Sequence, residues 1–81
     1  MLRLNTRTKS KPEEVVKKAL GFFGPDGLGL EVTEQSDTCA YFQREGVYVS
    51  ITACIDDKGT SVDMVTREFE YQVKEFAGKL R

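Results

Sequence analysis

Apolar and polar residues alternate in single steps through most of this 81-residue chain, and the two stretches where the period lengthens to three and four mark its helices. Leu2, Leu4 and Thr6 alternate with Arg3, Asn5 and Arg7, which predicts a first strand over Leu2–Thr8 with one apolar and one basic face. Ser10-Lys11-Pro12-Glu13 matches a capping box, with the Ser hydroxyl accepting an orphan amide and Glu13 reaching back, so a helix is expected to start at Ser10. Pro12 fits its first turn. Val15, Val16, Ala19, Leu20 and Phe23 then recur on one helical stripe, and Gly24-Pro25-Asp26-Gly27 stops it, because a residue before proline resists the α region.

Four further strands are expected. Leu28–Gln35 places Leu28, Leu30 and Val32 on one face, and Thr38–Gln43 places Ala40 and Phe42 there. Val47, Val49, Ile51, Ala53 and Ile55 alternate with Tyr48, Ser50, Thr52 and Cys54 in the clearest strand of all. Thr60–Thr66 brings Val62 and Met64 inward, and Phe69, Val73, Phe76 and Leu80 give the apolar stripe of a closing helix. The turns fall at 35–37, at Glu45-Gly46 and at 56–59.

Register tests these elements against one another, since a slip of one residue turns every side chain over. A hairpin tip at Glu45-Gly46 pairs Phe42 with Val49 and Ala40 with Ile51, and a loop at 56–59 pairs Ala53 with Val62 and Ile51 with Met64. A loop at 35–37 pairs Val32 with Ala40 and Leu30 with Phe42. All three put the apolar set on one face. The expected fold is therefore a single α+β domain over residues 1–81: a two-layer sandwich of order β-α-β-β-β-β-α, its antiparallel sheet covered on one face by both helices.

Composition narrows the chemistry. With no His, no Trp and a net charge of −1, the chain lacks the side chain that most often serves as general base or zinc ligand near neutral pH. Asp56-Asp57 lacks the spaced carboxylates of a calcium loop, and the Gly-rich stretch at 24–29 follows a helix instead of opening one, unlike a phosphate loop. No catalytic set, metal site or cofactor site emerges, and the expectation is a non-enzymatic protein. No apolar run approaches the ~18 residues that span a bilayer, and Met1-Leu2-Arg3-Leu4-Asn5 has no secretory h-region, so a cytoplasmic location is expected.

Charge is uneven. Residues 1–20 carry six basic groups (Arg3, Arg7, Lys9, Lys11, Lys17, Lys18) against Glu13 and Glu14, a net of +4, while 21–63 carry Arg44 and Lys58 against eight carboxylates, a net of −6. The basic end would attract phosphate, but an isoelectric point of about 5.4 argues against nucleic acid as a partner. Cys39 and Cys54 read as reduced thiols. In the expected register they are diagonal neighbours, although a tip at Gly46-Val47 would set them opposite one another.

The sheet face away from the core is small and uncharged at its middle. Tyr41, Tyr48, Cys39, Cys54 and Val65 form a candidate patch for a partner or a homodimer, since aromatic residues are favoured and Lys and Glu disfavoured at interface centres. A wetted sheet chosen for strand propensity would show the same residues.

Thr8-Lys9-Ser10-Lys11-Pro12-Glu13-Glu14-Val15-Val16-Lys17-Lys18-Ala19-Leu20 resembles the opening of the START/SRPBCC-type helix-grip fold, where an edge strand meets a helix beginning with a small residue, Pro, Glu and Glu. The resemblance implies a sheet curved around the last helix, with an apolar ligand between them. Here that space would be lined by Phe23, Phe42, Ile51, Met64, Phe69, Val73 and Phe76, residues that equally serve as plain core. The chain has fewer strands than that family, and the matching segment carries no catalytic residue. Two expectations follow: a small self-associating interaction domain, or a carrier of a small apolar ligand.

Overall fold

A computed structural model describes residues 1–80. Seven elements follow one another: β1 (Leu2–Thr8), α1 (Pro12–Phe23), β2 (Glu31–Gln35), β3 (Cys39–Arg44), β4 (Val47–Asp56), β5 (Gly59–Arg67) and α2 (Glu70–Leu80). The sheet runs β1-β5-β4-β3-β2 and every pair is antiparallel. α1 lies over β4 and β3, α2 lies over β1 and β5, and the helices touch along one side. This is the α+β architecture that the alternation predicts. No helix among the described residues is long and apolar enough to cross a membrane.

The core is the seam between layers. Phe23 is fully buried at its centre, with ring centroids 4.9 Å from Phe22, 5.6 Å from Phe42 and 5.3 Å from Phe76. Val15, Ala19 and Val73 from the helices meet Val49, Ile51, Ala53, Val62 and Met64 from the sheet, all fully buried.

α1 starts differently from the capping-box expectation. Lys11 occupies the cap position with no side-chain cap, and Pro12 opens the helix with its preset φ. Ser10 is engaged elsewhere: its N–H donates to Thr8 Oγ1 at 3.2 Å and its carbonyl accepts the Thr60 hydroxyl at 2.6 Å. The strand edge thus claims the residue that local sequence would spend on the helix. At the other end the loop folds back, and the amides of Leu28 and Leu30 donate to the Phe22 and Phe23 carbonyls. That return delays β2 to Glu31, three residues later than expected.

Gly27 sits inside this return, where an added Cβ would be driven into the carbonyls of Gly21 and Phe22. Gly27→Ala is expected to lower stability by more than about 1 kcal/mol, read as a lower urea midpoint at unchanged slope. An unchanged midpoint would mean that the return loop is not part of the cooperative fold.

Two hairpins have the predicted register and one does not. Glu45 (φ 48°) and Gly46 (φ 84°) form a two-residue turn with both φ positive, the geometry that matches strand twist. Phe42 pairs Val49, Ala40 pairs Ile51, Ile51 pairs Met64 and Ala53 pairs Val62. The β4–β5 turn is tighter than a loop of 56–59, because Asp56 still pairs Gly59 and only Asp57 and Lys58 cross over.

The β2–β3 pair departs from expectation, with Val32 opposite Phe42 and Gln35 opposite Ala40. Ser36 moves the tip by accepting the Thr38 and Cys39 amides on its hydroxyl at 3.2 and 3.1 Å. That shift alone would turn Val32 outward. A bulge between Val32 and Glu34 restores the parity, with Thr33 held by its hydroxyl on the Tyr41 carbonyl at 3.2 Å.

Ile55 also departs: its place in the alternation is inward, yet it is 74% exposed because neither helix extends over that end of β4. α2 begins at Glu70 and leaves Phe69 half-buried before it. Fully buried Thr66 anchors the approach, donating to the Tyr48 carbonyl at 2.9 Å and accepting the Phe69 amide at 3.3 Å. Thr66→Val keeps the shape and orphans both groups, so a loss of about 1–3 kcal/mol is expected in chemical denaturation. A neutral result would show that water satisfies them.

Candidate interaction face and adjoining clefts

Both helices occupy one side of the sheet, so the other side is left to solvent. Register arranges it in rows across the strands. One row runs Arg3, Val65, Ser50, Tyr41 and Glu34; the next runs Arg67, Tyr48, Gln43 and Glu31; a third runs Asn5, Asp63, Thr52 and Cys39. Tyr41 and Tyr48 are diagonal neighbours on β3 and β4 and stack, with centroids 5.7 Å apart and planes 7° from parallel. Both tyrosines are half-buried. This pairing is the only stacked aromatic geometry among the described residues.

The face is electrically polarised across its strands. β1 contributes Arg3 and Arg7, while β2 contributes Glu31 and Glu34. Arg3 pairs Asp63 at 2.9 Å, Asn5 donates to Ser61 Oγ at 3.1 Å, and Arg7 pairs Asp56. Asp56 is held below the ordinary carboxylate range, first by the Arg7 hydrogen bond and then by the Lys58 amide. Because the folded value is depressed, this link is fully present above the unfolded carboxylate pKa of about 3.9 and is lost as pH falls through the lower folded value. Carboxyl NMR is expected to place the Asp56 midpoint below the ordinary Asp value of about 3.9, and Arg7→Gln should bring it back up. An Asp56 midpoint that ignores the substitution would sink the assignment.

The cysteines lie apart on this face. Cys39 is opposite Thr52, Cys54 is opposite Ser61, and both thiols are free. Cys39 Sγ is 3.1 Å from the Ser36 hydroxyl. Among the described residues no three Cys, Asp or Glu side chains gather as metal ligands would.

The residues named as candidate ligand lining are brought together, but in mutual contact. Phe23, Phe42, Ile51, Met64, Val73 and Phe76 are at most 2% exposed, and Phe69 packs at their margin. Open space lies elsewhere. A cleft of about 630 Å³ is lined by Arg7, Thr8, Lys9, Ser10, Lys18, Lys58, Lys79 and Leu80. A second, of about 370 Å³, runs between the helices and is lined by Lys18, Gly21, Phe22, Phe76, Lys79 and Leu80.

Sequence reasoning did not find these clefts. It grouped Lys9 and Lys18 with Arg3, Lys11 and Lys17 as one basic end, whereas the fold sends Arg3 to the open face and brings Lys58 and Lys79 in from distant elements. Only the β4–β5 register, which points Lys58 back towards the β1 end, carried any hint of this. Comparison with protein-family models, with curated proteins and with solved structures finds no match for the chain. The helix-grip resemblance therefore stands on residues 8–20 alone.

Proposed function

We propose that this chain is a small non-enzymatic interaction domain that works as a homodimer, two copies meeting through the open faces of their sheets. The stacked Tyr41–Tyr48 pair on an uncovered sheet face carries the reading, because rigid aromatic area is what interface centres are made of. Charge favours a second copy as the occupant. A two-fold axis along β4 lays the basic β1 side of one copy over the acidic β2 side of the other, Arg3 towards Glu34, and brings Tyr48 against its own equivalent. Such a contact is self-complementary and closes at two copies. It would bury the sheet as an aligned sandwich crossing at about 30°.

The test is sedimentation equilibrium across a concentration series. A mass of twice 9.1 kDa that dissociates on dilution is expected. A single monomeric mass at every concentration would overturn the proposal. Carriage of an apolar ligand under α2 has less support, since Phe23 would have to part from Phe42 and Phe76 to make room.

A further inference from the structure

The helix side of the molecule offers a second, separate opportunity. Lys9 follows β1, Lys18 is on α1, Lys58 is in the β4–β5 turn and Lys79 is in the last turn of α2. All four line the larger cleft, and among the described residues no carboxylate lines it with them. Arg7 is already engaged by Asp56, but among the described residues none of the four lysines is in an ion pair. In a chain of net charge −1, four separate segments thus bring lysines without an ion pair to one concavity. Self-repulsion disfavours that arrangement unless an anion is drawn into it.

The smaller cleft shows what kind of anion. It shares Lys18, Lys79 and Leu80 with the larger one, so the two adjoin, and its remaining walls are Gly21, Phe22 and Phe76. Lys79 Nζ stands 4.8 Å from the centroid of the Phe22 ring, at the junction of the polar and apolar parts. A phosphate monoester brings close to two negative charges and three acceptor oxygens, which suits several lysines better than a carboxylate's single charge.

We propose that the adjoining clefts bind an amphipathic phosphate, a phosphate monoester on a single short apolar tail. The head sits among Lys9, Lys58 and Lys18, and the tail runs past Lys79 along Gly21, Phe22 and Phe76. This site opens on the helix side and shares only Arg7 with the open face.

Octyl phosphate below its micellar range is the probe, with inorganic phosphate and octanol as its two halves. NMR titration is expected to show octyl phosphate binding about a hundredfold more tightly than inorganic phosphate, from burial of even part of the tail. Shifts should fall on amides around Lys58, Lys18–Phe22 and Phe76–Leu80. Gly21→Leu is the decisive variant. A Cβ there meets nothing within 4 Å, and replacing a glycine in the last turn of α1 does not disfavour the helix, so the protein stays folded while the groove fills. Octyl phosphate affinity should then fall to the level of inorganic phosphate, whereas Lys58→Glu should weaken both by about tenfold. Octyl phosphate no tighter than inorganic phosphate, octanol as tight as octyl phosphate, or indifference to Gly21→Leu would each overturn the proposal. Binding to phosphatidic acid vesicles without binding of the monomer would do the same, assigning the lysines to a membrane surface.

Discussion

Phe23→Ala is expected to remove about 3–5 kcal/mol of stability, out of a total of about 4–12 kcal/mol for a domain of this size. Phe23 is the hinge of the two layers: its ring meets Phe22 and Phe76 from the helices and Phe42 from the sheet. Truncation takes away one partner from each of three rings and leaves a cavity that a chain with one small seam cannot refill from elsewhere. Phe23→Leu keeps most of the volume and should lose much less, near 1.5 kcal/mol. Urea unfolding followed by circular dichroism reads both. A loss under about 1 kcal/mol for the alanine variant would show that the layers pack without this ring.

Tyr48→Lys is expected to weaken self-association by about thirty- to a thousandfold, the range set by losing a central aromatic worth about 2–4 kcal/mol. Under a two-fold along β4, each Tyr48 faces its own equivalent, so one substitution also sets two like charges together. Tyr48 is only half-buried in the single chain, and the monomer's unfolding midpoint should therefore barely move. Arg3→Glu and Glu34→Arg chains should each dimerise less well alone and pair with one another when mixed. An unchanged dissociation constant for Tyr48→Lys would place the interface elsewhere.

How much of this was legible in the sequence depends on what each signal measures. Single-step alternation fixes which side of the sheet a residue faces, and it did so for Phe42, Ile51 and Met64. It cannot say whether anything covers that side, which is why Ile55 points inward and lies bare. Register followed from turn length where the turn was tight and glycine-bearing, at Glu45-Gly46. At β2 it depended on which amides Ser36 would collect and on a compensating bulge at Thr33, and local composition shows neither. Ser10 had the right type and spacing for a helix cap, but Thr60, fifty residues away, holds its carbonyl. The tyrosine patch was legible because it lies on two adjacent strands of a correctly registered hairpin. The lysine cleft was not, because four separate segments contribute to it.

The bulge at Thr33 has a bearing on how the chain stays out of trouble. A five-stranded open sheet has two outer rims, and a flat rim of free backbone amides and carbonyls recruits further strands without limit. β2 is five residues long, is bent by the bulge and carries Glu31 and Glu34, so a neighbouring copy finds no straight ladder to extend. Deleting Thr33 would straighten that rim, and the expected product is a dye-binding fibril in place of a closed particle.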